Sequence, residues 1–220
     1  KFAAQKGRFS ENVSNFMERS EEDAEYSKAR PAGLIHGSPI EPLVTTRAVD
    51  SLTGYQFALG FGYAREDSQA YNDMMFCAAI DKVEWCELFG MTIEHEQWPT
   101  KGLPQHRVTD RGPGMKLEAE RYDPATQKFS GTPLREITPT GQGQSKAAVE
   151  TSNEKVTKIE GSSMIVTSHL NSIQMMQRDI SRLLEANQTI DASERMTPEM
   201  KREGVRPTPN GLMKWYVRRV

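Results

Sequence analysis

The sequence predicts a mixed α/β domain, with a central sheet carrying helices on both faces. Three observations predict it. Two apolar-alternating stretches are joined by the turn "DSLTG". Long helix-periodic stretches follow at 66–90 and 168–187. Short strand-like runs, "RVT" and "PLREITP", lie between the helical stretches. The order is hairpin, helix, strand, short helix, strand, helix, helix.

Each element has a local reason. Leu43 to Val49 and Tyr55 to Tyr63 read as strands, the second with Phe57, Leu59 and Phe61 alternating. Asp50 and Gly54 supply the chemistry of the turn between them. The helix over 66–90 opens on Glu66, Asp67 and Ser68, carries Met74, Met75, Cys77, Trp85 and Leu88, and closes on Gly90. A short strand is expected at Arg107 to Thr109, a short helix over 115–121, a strand in "PLREITP", and helices at Ser145 to Ile159 and Ser168 to Asn187. The tail is Pro-rich and ends basic. A strand before the hairpin would have to lie within residues 14–26, which are too acidic to read as a buried strand.

The bulk numbers narrow the class. The chain has 220 residues, with 28 basic and 30 acidic side chains and a net charge of −2. Its mean hydropathy of −0.65 gives a very polar surface. That balance does not advertise a nucleic-acid binder, although local patches steer ligands more than totals do. Cys77 and Cys86 form neither a disulfide framework nor a zinc site and read as reduced structural thiols. No apolar run reaches membrane-span length and no signal peptide is visible, so a cytoplasmic location is expected. The chain begins with Lys1 and reads as a piece of a longer protein.

The chemistry lies in acids that elements from different parts of the chain bring together. Asp110 follows a strand in "VTDRGPG", where a carboxylate is presented at the end of the sheet. Glu150 sits in the second turn of a helix opened by "GQGQSKAAVE", behind Ala147, Ala148 and Val149, which are small enough to permit close approach. Taken singly, the first is ordinary turn chemistry and the second an ordinary surface glutamate. Two carboxylates with no nearby thiol or imidazole suit a hard, oxygen-loving cation such as Mg²⁺. A pair of such ions calls for about three acids, so a third should come from the strand before the hairpin.

These residues resemble a known group. "GQGQSKAAVETSNEKVTKIEG" is similar to the final-acid motif of retroviral integrases and of TnsB/Mu-type transposases. "LPQHRVTDRGPG" resembles the TnsB-type second-acid motif, and "RAVDSLTGYQFALGFGYAREDS" the strand-turn-strand of the same group. "ANQTIDASERMTPEMKREGVRPTPNGLMKWYV" resembles the segment after the core. The resemblance implies a ribonuclease-H-like fold with a five-stranded mixed sheet. It implies a core over 1–165 and a C-terminal helix with an extended linker over 166–220, leading toward a further domain. It also implies a DDE triad with two Mg²⁺ ions (Mn²⁺ as substitute) that cuts and joins DNA at transposon ends. Asp110 carries over as second acid and Glu150 as third. Asp23 fits the first, with Glu22 and Asp50 as alternatives. The partners implied are transposon-end and target DNA, further copies of the chain assembled on DNA, and an ATPase regulator, in a nucleoid-associated bacterial setting. Two rivals stand beside it: a nuclease that only hydrolyses, and a non-catalytic DNA-binding or assembly module with a decayed site.

Around the acids, Arg111, Gln144 and Lys146 are candidate DNA contacts, against bland readings as a turn residue, a loop residue and an i,i+4 ion pair. His36, His95, His106 and His169 show no metal spacing. Trp85, Trp98 and the "NDMMF" and "IQMMQ" methionines read as core. "MKWYVRR" mixes basic and aromatic residues, as a phosphate-binding segment or as a strand of the next domain.

Overall fold

The turn at Asp50–Gly54 shows how closely local chemistry sets this fold. Asp50 accepts hydrogen bonds from the backbone N–H groups of Thr53 and Met17, each at 2.8 Å. Gly54 takes φ +73°, a left-handed conformation that favours glycine. The strands on either side are β3 (Leu43–Asp50) and β4 (Gln56–Tyr63). The computed structural model describes residues 13–35, 38, 40–109, 134–137 and 166–219.

The main sheet adds β1 (Arg19–Tyr26), β5 (His106–Thr109) and β6 (Leu134–Ile137). Its five strands run in the order β4-β3-β1-β5-β6. β3 is antiparallel to both β4 and β1, whereas β1, β5 and β6 are parallel. A separate parallel pair joins β2 (Ala29–Arg30) to β7 (Val166–Thr167).

Helices cover both faces of this sheet. Thr46 Oγ1 donates to the carbonyl of Ala70 in α1 (Ser68–Ala79) at 2.9 Å. The adjacent Thr45 Oγ1 donates to Asp179 in α3 (Ser172–Thr189) at 3.0 Å. Neighbouring strand residues point to opposite faces, so α1 and α3 lie on opposite sides. Gly60, paired with Thr46, lets α1 seat closely: a Cβ there would fall 2.2 Å from the Ala70 carbonyl oxygen. On the other face Phe61, Trp85 and Phe89 stack with Met175, Ile180 and Leu183 into the main core. Trp98 is buried there, its indole N–H donating to the Gln56 carbonyl at 3.0 Å. The sequence reading of both tryptophans and of the paired methionines as core therefore holds.

Three expectations need correction. The acidic stretch before the hairpin is a strand, β1, and it lies at the centre of the sheet. Glu21 and Glu22 are buried and Glu25 is half-buried, and each of the three has a partner. Glu22 is bound by Arg107, Glu21 accepts from Ser51 Oγ, and Glu25 lies 3.6 Å from Arg47. Second, the helix expected over 66–90 is two helices. After α1 the chain extends at Ile80 and restarts as α2 (Lys82–Glu87), with the Asp81 side chain capping Val83. Lys82 Nζ turns back onto the carbonyls of Cys77, Ala78 and Ile80 and supplies donors to the interrupted end. Third, the Pro-rich tail forms helices α4 (Pro198–Arg202) and α5 (Pro209–Val217). Both prolines occupy the start of a helix behind a threonine cap, where the missing N–H costs nothing.

Candidate active site on the central strands

Asp23 occupies the middle of β1, half-buried, directly across from Arg47 on β3. Arg47 is itself buried at 2% exposure and faces Glu25 as well. On the other side of β1, the parallel ladder to β5 pairs Arg19 with His106, Ser20 with Arg107 and Glu21 with Val108. β5 ends at Thr109, which is fully buried.

The two alternative first acids have other work. Glu22 is fully buried and accepts two hydrogen bonds from Arg107, Nε at 2.7 Å and Nη2 at 2.6 Å. Such a bidentate pair uses both carboxylate oxygens. Asp50 is equally buried, and its oxygens close the hairpin turn and hold Met17. Burial pushes the Asp50 carboxyl above its usual range, against the lowering effect of the Thr53 and Met17 hydrogen bonds. Both carboxylates are thus bonded within the fold.

Asp110, Glu150, Arg111, Gln144 and Lys146 lie outside the described residues, as do the helices expected over 115–121 and 145–159. Among the described residues, no group of three or more His, Cys, Asp or Glu side chains is placed to hold a metal ion. His95 and His169 are exposed, and His106 is exposed on β5. The sequence reading missed Arg107 and Arg47 as partners of the β1 acids. The available signal was an arginine inside each of two strands, since buried cations require counter-charges.

Comparison with known families settles where the chain belongs. The family model for the TnsB C-terminal domain matches residues 34–161, more than half of the chain. The chain belongs to the TnsB C-terminal domain family. The resemblance to TnsB-type transposases read from the motifs is thus borne out. The residues matched to TnsB include Asp110 and Glu150 and begin after Asp23. No curated protein sequence matches the chain.

Among solved structures, one similar chain comes from a simian T-cell lymphotropic virus intasome in complex with PP2A regulatory subunit B56 gamma. Identity is 13%, the TM-score is 0.44, and the match covers 84% of this chain and 52% of that one. Another is the catalytic core domain of BIV integrase, at 12% identity and a TM-score of 0.42, covering 86% of this chain and 95% of that one. Both TM-scores are too low to equate topologies. The chain spans about half the length of the first of these. Among the described residues, no helix is long and apolar enough to cross a membrane.

Proposed function

We propose that this chain is the catalytic core of a TnsB-type DDE transposase, with Asp23, Asp110 and Glu150 as its acids. The observation that carries the reading is the parallel register of β1 and β5. Glu21 pairs with Val108; Asp23 lies two residues beyond that pair on β1, and Asp110 follows directly in sequence after β5 ends at Thr109. Asp23 is half-buried in the middle of β1, whereas Glu22 and Asp50 are fully buried and serve the Arg107 pair and the hairpin turn. The five-stranded mixed sheet with helices on both faces supports the ribonuclease-H-like assignment.

The donor set suits the implied ions, because carboxylate oxygens are the ligands that Mg²⁺ and Mn²⁺ prefer. Asp23, Asp110 and Glu150 would hold them. When bound, such ions neutralise phosphodiester charge and lower the pKa of an attacking hydroxyl. The chain's own task is positioning. β1 carries Asp23, Asp110 follows β5 in the sequence, and the Glu22–Arg107 pair ties those two strands together. Arg111, Gln144 and Lys146 would contact the DNA backbone around the acids. Transposon-end and target DNA, self-assembly on DNA and an ATPase regulator follow as partners from the family reading.

One observation favours the non-catalytic rival: buried Arg47 lies across from Asp23, and a fixed cation there opposes metal binding. Mn²⁺ titration followed by electron paramagnetic resonance separates the two. The transposase reading expects binding that weakens in Asp23→Asn, Asp110→Asn and Glu150→Gln, and joining of 3′-hydroxyl DNA ends to plasmid that those changes abolish. Wild-type chain that takes up no Mn²⁺, with or without DNA, overturns it. Cutting without joining would favour the hydrolytic rival.

A further inference from the structure

The charge of this chain is unevenly distributed. Thr197 to Arg219 holds six basic and two acidic residues, leaving 22 basic against 28 acidic elsewhere. The stretch is α4 and α5, capped by Thr197 and Thr208 and packed on a small core of Met200, Leu212 and Ala192. Contacts to the β3–β4 turn and to segments flanking the sheet hold it in place. Arg195 donates to the carbonyls of Ser51 and Leu52 at 2.7 and 2.9 Å. Asn210 donates to the Glu96 carbonyl at 3.2 Å. Tyr216 stacks on Phe16 with ring centroids 5.4 Å apart.

Both acids of this unit are engaged by one cation. Arg219 pairs with Glu203 and lies 3.8 Å from Glu199, and its guanidinium sits 3.8 Å over the Trp215 ring. Trp215 adds its own hydrogen bond to Glu203 at 2.7 Å. Lys201, Arg202, Arg206 and Arg218 are exposed, and among the described residues none of the four takes part in a salt bridge. A helical unit thus presents four exposed cations outside any salt bridge on an otherwise acidic chain, with Arg202 also attracting the Glu203 carboxylate.

We infer that the α4–α5 unit is a second duplex-DNA contact surface, gripping phosphates with residues other than those of the carboxylate site. The choice of DNA as the polyanion rests on the transposase reading, and the surface itself rests on the charges. Its place follows from the sheet. The unit docks on the β3–β4 turn, at the end where Ser20 pairs with Asp50. Asp23 lies three residues further along β1, about 10 Å away at the usual strand rise.

The test is duplex binding by the whole chain, read by anisotropy with a labelled duplex of arbitrary sequence across about 50 to 200 mM salt. Changing Lys201, Arg202, Arg206 and Arg218 together to Gln should flatten the slope of log affinity against log salt by about 3 to 4 and weaken binding at least about tenfold. The Glu version should weaken it further. A thermal melt confirms that each variant is folded. A folded Gln variant that keeps the wild-type slope overturns the proposal, as does binding to anionic phosphatidylglycerol vesicles without binding to duplex. The two readings fail separately. A flattened slope in a chain whose Asp23→Asn variant still cuts DNA keeps this surface and sinks the catalytic site; an unchanged slope with cutting lost in Asp23→Asn does the reverse.

Discussion

Arg107 on β5 holds Glu22 on β1 through two hydrogen bonds, at 2.7 and 2.6 Å, in the interior of the sheet. The pair joins the two strands proposed to carry the first and second acids. Removing one partner leaves a buried charge uncompensated, which costs about 3–5 kcal/mol. Arg107→Ala and Glu22→Ala should each show that loss in urea unfolding. Replacing both residues with leucine should cost less than either single change. A single variant with near-wild-type stability would mean that the pair does not join the strands.

Gly60 permits the close seating of α1. An added methyl meets the Ala70 carbonyl at 2.2 Å and the Met74 nitrogen at 2.4 Å, both backbone atoms that cannot swing aside. Gly60→Ala should destabilise the fold by about 1–3 kcal/mol or more, through a forced shift of the helix. Gly102 makes a useful contrast: nothing lies within 4 Å of its Cβ position, so any penalty there comes from its φ of +133° alone. The check is the thermal midpoint of the two alanine variants side by side. Equal effects would mean that the α1 contact is loose.

The thiols give a prediction in pH. Cys77 and Cys86 are both fully buried, and burial pushes each thiol up to about 12 from an ordinary 9.0. In the unfolded chain they ionise near 9, while in the folded chain they keep their protons. The folded state therefore binds more protons between about 9 and 12, and stability falls as pH rises through that window. The slope for Cys77 is about 1.4 kcal/mol per pH unit. Native protein at pH 8 should leave a thiol reagent unreacted until denaturant is added. Rapid modification of either cysteine in the folded state would show that the site opens.

How much of this was legible depends on the range of the interactions. β3, β4 and their turn were readable because alternation, Asp50 and Gly54 are local signals. The methionine pairs and both tryptophans were readable for the same reason. β1 was not, because its burial depends on Arg107, Arg47 and Ser51, all distant in sequence. Without those partners, "RSEEDAEY" looks like a solvated run. The break between α1 and α2 was hidden for a related reason: Lys82 reads as a surface residue until its ammonium is seen on three carbonyls. The tail misled because proline breaks helices in their interior and starts them at their first position. Asp23 as a strand-borne acid was legible only through the family motif, not through its neighbours.

Asp23 and Asp50 make the last prediction, since both were candidates for the first acid. Asp50 holds the turn, so Asp50→Ala leaves the Thr53 and Met17 N–H groups without their acceptor, at about 1–3 kcal/mol for each donor left unpaired. Asp50→Asn should cost less, because it removes a carboxylate that burial disfavours while keeping one acceptor oxygen. Asp23 is only half-buried, and Asp23→Asn should change stability by little while abolishing Mn²⁺ uptake and DNA joining. Urea unfolding and metal titration on the same samples separate the two roles. If Asp50→Asn folds normally but loses the metal while Asp23→Asn keeps it, the first acid belongs at the end of β3 and the β1–β5 register loses its catalytic meaning.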